Sequence, residues 1–176
     1  MTAAGEGSAP GAGEPHSMPV HLRPAKPTDI PALVPLLVRL KRLNEEFDPL
    51  LRVRDDAEGQ AREVLKTSIA DPKAVVLAAE GVGADKDKVV GLVLAVIRER
   101  PFYSPPVEGV ILEIYLLPLY RRHGVGEYLL KETTAALKAK GAAVVIAEFP
   151  SQNEIASRFY AKRGFRPIIV RQARSL

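Results

Sequence analysis

The 176-residue chain has no cysteine. That absence excludes disulfides, thiolate metal sites and a cysteine nucleophile, and it fits a reducing cytoplasm. Tryptophan is also absent, and aromatic residues make up only 6% of the chain. No row of rings interleaved with basic residues, the mark of an RNA-binding module, is present, nor is any zinc-finger spacing. No apolar run approaches the ~20 residues that a bilayer-crossing helix needs, so no membrane segment is expected. Neither charge sign dominates. Lys and Arg number 25 against 21 Asp and Glu, leaving +4, with no tract of five or six basic residues together. A mildly basic solvated surface explains this balance better than a nucleic-acid partner does.

What is present is ordinary for one globular domain: 47% hydrophobic and 26% charged residues, at a length that supports a single sizeable core. Residues 1–18, MTAAGEGSAPGAGEPHSM, offer almost nothing to bury and read as a disordered leader. They lack the charged and apolar regions of a secretory signal. The folded domain is expected over 19–176.

Hydrophobic periodicity predicts the elements in order. A short strand falls at 20–25, and a helix at 27–47 carries Ile30, Leu33, Val34, Leu37 and Leu40 on one stripe. Pro35 sits inside that helix and should kink it or delay its start. A second helix covers 56–70. Strands at 73–80 and 88–99 flank a polar, glycine-containing turn and form a hairpin. After the Pro-rich PFYSPPVEG comes a strand at 110–117, a helix at 123–140 and a strand at 142–149. A short helix follows, with Ser151 and Glu154 at capping-box spacing, and then a closing strand, FRPIIVRQ. The order β-α-α-β-β-β-α-β-α-β predicts a mixed α+β sheet with helices packed on it.

Two stretches carry chemistry. Arg121-x-x-Gly124-x-Gly126 lies between an apolar strand and a helix, in LYRRHGVGEYLL. Glycines there permit a sharp turn and close approach of a ligand to the backbone. The first N–H groups of a helix suit a diphosphate, and Arg121 and Arg122 add charge. The dinucleotide and NTPase loop patterns do not fit. Taken alone, the motif is as compatible with a bare tight turn. The second stretch, NEIASRFYAKRGF, carries Asn153, Phe159, Tyr160 and Gly164. Tyr160 reads either as a half-buried core residue or as a phenol able to protonate a leaving group.

Together, the element order, the YRRHGVG loop and N..A..FYAKRGF resemble the GNAT superfamily of acetyl-CoA-dependent N-acetyltransferases, over roughly residues 20 to 170. The resemblance implies a mostly antiparallel sheet whose fourth and fifth strands splay apart around the acetyl-pantetheine arm. It implies that backbone groups of Leu116 and Leu117 pair with pantetheine. The N–H groups from Arg122 through His123, Gly124 and Val125 to Gly126 would hold the pyrophosphate. Asn153 would touch the arm and Tyr160 would face the sulfur. The His123 side chain is read as an exposed loop residue. The cofactor implied is acetyl-CoA, as acetyl donor, with no metal.

An acceptor amine must be deprotonated before it attacks a thioester, because a lysine-like amine has a pKa of ~10.4. Two carboxylates compete for that task. Glu148 precedes Asn153 by five residues, a spacing similar to that of ribosomal-protein N-terminal acetyltransferases, and is favoured as base. Glu113, inside an apolar strand, resembles part of the acidic pair of polyamine acetyltransferases and is kept as an acceptor-site carboxylate, but a one-residue slip in register would flip its face. For the acceptor site, Glu45, Glu46 and Glu108 could meet a cationic amine, and Phe47, Phe102 and Tyr103 could line a pocket. The expected function is acetyl transfer from acetyl-CoA to a primary amine, either a protein N-terminus or a small molecule. A polyamine or aminoglycoside acceptor, or a non-catalytic acyl-CoA sensor, is the alternative. Dimerisation is common in the superfamily, so a homodimer is an option that no residue here dictates.

Overall fold

The computed structural model describes residues 19–121 and 124–175. The leader at 1–18 and the side chains of Arg122 and His123 therefore lie outside the described residues.

Strands β1 (Val20–Pro24), β2 (Ala74–Gly81), β3 (Val89–Glu99), β4 (Val107–Leu116) and β5 (Val144–Ala147) form one sheet in the order β1-β2-β3-β4-β5. All pairs are antiparallel except β4 and β5, which run parallel. Helices α1 (Ile30–Glu45) and α2 (Ala57–Ala70) cover one face, and α3 (Val125–Ala139) covers the other. Helix α4 (Glu154–Ala161) follows β5.

Because the middle strands are covered on both faces, their sequences are near-continuous apolar runs rather than alternating ones. Period-two alternation still decides which side chain meets which helix. In β2, Val75, Leu77 and Ala79 join the α3-side core with Val125, Leu129 and Leu137. Val76 and Ala78 turn the other way and join Leu33, Leu37 and Leu65 of α1 and α2. Pro35 is accommodated inside α1, which runs unbroken across it.

Two expectations fail here. The segment 165–172 forms no strand. It runs irregularly, with Ile169 and Val170 81% and 79% exposed. Pro167 lacks the N–H that a ladder needs, and β5 is only four residues long, so it offers few positions to pair with. Helix α4 also begins later than the Ser151 capping box predicts. Asn153 is its N-cap, with Oδ1 accepting the Ala156 N–H at 3.0 Å.

Candidate active site

Strands β4 and β5 pair only from Glu108–Val144 to Ile111–Ala147. One further bond, from the Glu148 N–H to the Ile111 carbonyl at 3.0 Å, closes the apex. Beyond it β4 continues to Leu116 with no β5 partner, so the two strands open into a split.

A bulge sets which side chains face this split. Leu94 pairs with Glu113 and Ala95 with Ile111, leaving Leu112 unpaired. Without that extra residue Glu113 would share the face of Ile111, toward α3. With it, Glu113 turns to the α1 face and its carboxylate bonds the ammonium of Lys41. The Glu113 side chain is only 11% exposed. Burial raises its pKa above the usual carboxylate value, Lys41 pulls it back, and the nearby Glu148 carboxylate pushes it up again. Glu148 sits beside the apex, half-exposed, and its Oε1 accepts from Arg98 at 2.8 Å. The structure thus brings the two candidate bases together at the apex and gives each a basic partner.

At the far end of β4 the backbone alternates. The Leu117 N–H donates to Val90 on β3, which turns the polar groups of Leu116 toward the open side. The Leu116 carbonyl there accepts from Arg121 Nε at 2.9 Å, and the Arg121 guanidinium lies 5.2 Å from the Tyr115 ring centroid. Arg121 is therefore tied to the strand as well as to the loop. Gly124 follows as N-cap of α3 with φ 76°, a left-handed conformation that favours glycine. Gly126 has a different reason: a Cβ there would sit 3.2 Å from the Phe159 ring, so it lets α3 approach α4. A shallow cavity of about 240 Å³ at this helix start is lined by Gly124, Glu127, Tyr128 and Lys131. The split, the outward-turned Leu116 and the first turn of α3, whose glycine N-cap has no side chain to bond it, suit an extended acyl arm ending in a diphosphate.

Tyr160 lies 7% exposed among Phe149, Phe159 and Phe165, with ring centroids 5.4, 5.2 and 5.1 Å away. Burial pushes its pKa up to about 12. Asn153, with its Oδ1 used as a cap, keeps its amide N–H₂ for other partners.

The acceptor-side residues are less gathered. Glu108 is paired with Arg100 at 3.2 Å, and both side chains are largely buried. Tyr103 lies under Arg100 but stays 66% exposed, and Phe102 is 90% exposed. Glu46 is exposed and Glu45 and Phe47 half-buried at the end of α1. Sequence reasoning missed Lys41 and Arg98. Lys41 follows Leu33 and Leu37 at four-residue steps on the buried stripe of α1, and a lysine on that stripe was the available signal.

The mostly antiparallel sheet with its one parallel pair, β4 and β5, and the helices α1 to α4 form a mixed α+β fold shared with solved acetyltransferases. The chain belongs to the Acetyltransferase (GNAT) family, whose sequence profile matches residues 40–165. It is accordingly an N-acetyltransferase, of a family that uses acetyl-CoA. Solved structures share the fold. A transcriptional regulator from Bacillus halodurans is 19% identical, with a TM-score of 0.69 over 89% of this chain and 99% of that one. An aminoglycoside antibiotic 6'-N-acetyltransferase from Acinetobacter haemolyticus is 17% identical, with a TM-score of 0.65 over 89% and 99%. A predicted acetyltransferase from Clostridium acetobutylicum, solved with acetyl-CoA, is 16% identical, with a TM-score of 0.70 over 89% and 96%. No curated protein sequence matches. Among the described residues, no helix is long and apolar enough to cross a membrane.

Proposed function

We propose that the protein transfers acetyl from acetyl-CoA to the primary amine of a peptide or protein N-terminus, by direct attack on the thioester within a ternary complex. The observation that carries this reading is the split beyond Ile111 and Ala147, with Glu113 and Glu148 both beside its apex. Glu148, exposed enough to exchange protons with water, is the base that takes the acceptor's proton. The Ile114 N–H, two residues before Leu116, shares the open side of β4 and supports the oxyanion. The first N–H groups of α3 hold the pyrophosphate, and Leu116 and Asn153 hold the arm.

Tyr160 supports the departing sulfur as a hydrogen-bond donor. Burial pushes its pKa up to about 12, so the phenol is protonated and able to donate to that sulfur.

The acceptor assignment rests on charge compensation. Glu113, Glu148 and Glu108 are each paired with a basic side chain, so the site is not the uncompensated acidic bowl that a polyamine or aminoglycoside would favour. The exposed Phe102 and Tyr103 give a rim suited to a peptide. Coenzyme A thiol release, measured with N-terminal peptides, polyamines and aminoglycosides, tests this, with peptides expected to turn over fastest. Faster turnover of a polycation would replace the acceptor assignment. No turnover with any amine, while acetyl-CoA still raises the melting temperature, would favour the sensor reading.

A further inference from the structure

An amine already lies against a strand residue beside the split. Lys41 projects from the core-facing stripe of α1, and its Nζ bonds Glu113 Oε1 just past the apex of the β4–β5 split. The ion pair is asymmetric. The carboxylate is 11% exposed and the lysine side chain 45%, so the amine stays in reach of solvent while its carboxylate partner is largely buried. A half-buried ion pair of this kind is weak as a stabilising device, because desolvation of the carboxylate offsets much of the Coulomb gain. Its placement matches what an incoming acceptor ammonium would need: a primary amine, held by a carboxylate, at the mouth of the split in which the thioester is expected.

We propose that Lys41 is a self-acetylation site, at which the enzyme transfers acetyl from its own bound acetyl-CoA to Lys41 Nζ. This rests on the acetyltransfer reading given above and names an internal substrate for the same site. In the step, the Lys41 nitrogen attacks the thioester carbonyl, the N–C amide bond forms and the C–S bond breaks. The ammonium gives up two protons, one to the Glu113 carboxylate and one that ends on the coenzyme A sulfur. No oxidant or further reactant is needed. Glu113 is suited to keep its proton, since burial already favours its neutral form and the product amide no longer supplies a cation. The neutral acid then donates a hydrogen bond to the amide oxygen, so the buried carboxyl stays satisfied.

The test is to incubate the purified full-length protein with acetyl-CoA alone and map acetylated lysines by peptide mass spectrometry over time. Label is expected first at Lys41, at a first-order rate unchanged when the protein is diluted. Tyr160→Phe should slow it by about tenfold or more. Lys41→Arg, which keeps a cation beside Glu113, should abolish the label while the protein still melts cooperatively. Absence of label at Lys41, equal labelling of exposed lysines such as Lys66 and Lys138, or a rate proportional to protein concentration would each overturn the inference. The amine panel, run on the same preparation, separates the two failures. Turnover of external amines without Lys41 label removes only the self-acetylation. Loss of both removes the acetyltransfer reading as well.

Discussion

The side chain of Arg121 reaches back five residues along the chain to hold the strand that precedes it. Its Nε donates to the Leu116 carbonyl at 2.9 Å while its guanidinium stacks over Tyr115 at 5.2 Å. One side chain thereby fixes the turn between β4 and the glycine-capped helix. Arginine is needed for this, since its planar fork can stack and donate at once and an ammonium cannot. Arg121→Lys is expected to weaken acetyl-CoA binding by about five- to tenfold in calorimetry, the equivalent of one net hydrogen bond, with little change in melting temperature. Unchanged affinity would show that the turn is held without this bond.

Gly124 allows a sharper test of the cradle, because two substitutions separate backbone strain from charge. At φ 76°, alanine costs roughly 1 kcal/mol and should lower the melting temperature by a few degrees. Aspartate tolerates that conformation better and favours a helix N-terminus, so Gly124→Asp should melt no lower than Gly124→Ala. Its carboxylate would nevertheless oppose a diphosphate, and acetyl-CoA affinity should fall much further than in the alanine variant. Equal affinities for the two variants would place the pyrophosphate elsewhere.

The parts of this protein legible in its sequence are those governed by local period. The alternation of Val75, Leu77 and Ala79 against Val76 and Ala78, and the stripe of Leu33 and Leu37, follow from strand and helix geometry alone. What was hidden depends on pairing between distant residues. The face of Glu113 is set by the bulge at Leu112, which is invisible in a two-residue period. The segment 165–172 has the β-branched residues of a strand but, with Pro167 and a four-residue β5, finds no ladder. Asn153 was expected only as a pantetheine contact. Its capping role appears once helix α4 is seen to begin at Glu154 rather than beside Ser151.

Away from the site, Asp29 should dominate the response to acid. It is buried, and the Arg23 guanidinium, bonded at 2.7 and 3.0 Å, holds its carboxyl below the usual carboxylate range despite opposing desolvation, with the Lys26 N–H adding to the effect. A carboxyl with a lowered folded pKa contributes stability that is full above its unfolded value, ~3.9, and is lost as pH falls through the folded value. Melting curves should therefore decline as pH falls below about 4 more steeply for wild type than for Asp29→Asn. The variant should be less stable at neutral pH, by ~1–3 kcal/mol. Parallel acid profiles for the two proteins would assign the decline to other carboxylates.

The two candidate bases and the tyrosine divide the chemistry in ways that kinetics can separate. Glu148→Gln should lower kcat by about 10²-fold or more with acetyl-CoA affinity unchanged, the mark of a lost proton acceptor. Glu113→Gln, which leaves Lys41 without its carboxylate, should act mainly on acceptor KM. Tyr160→Phe should lower kcat at constant coenzyme affinity, whereas a protein that only senses acyl-CoA would be indifferent. The pH profile then reports how Tyr160 works. With its pKa pushed up to about 12 by the surrounding rings, the phenol stays protonated across the working range. The wild-type kcat should therefore rise with pH as the acceptor is deprotonated and show no decline near pH ~10, where an unburied tyrosine would ionise. An alkaline decline centred there in wild type, and missing in Tyr160→Phe, would mean that the ring cage of Phe149, Phe159 and Phe165 opens during turnover.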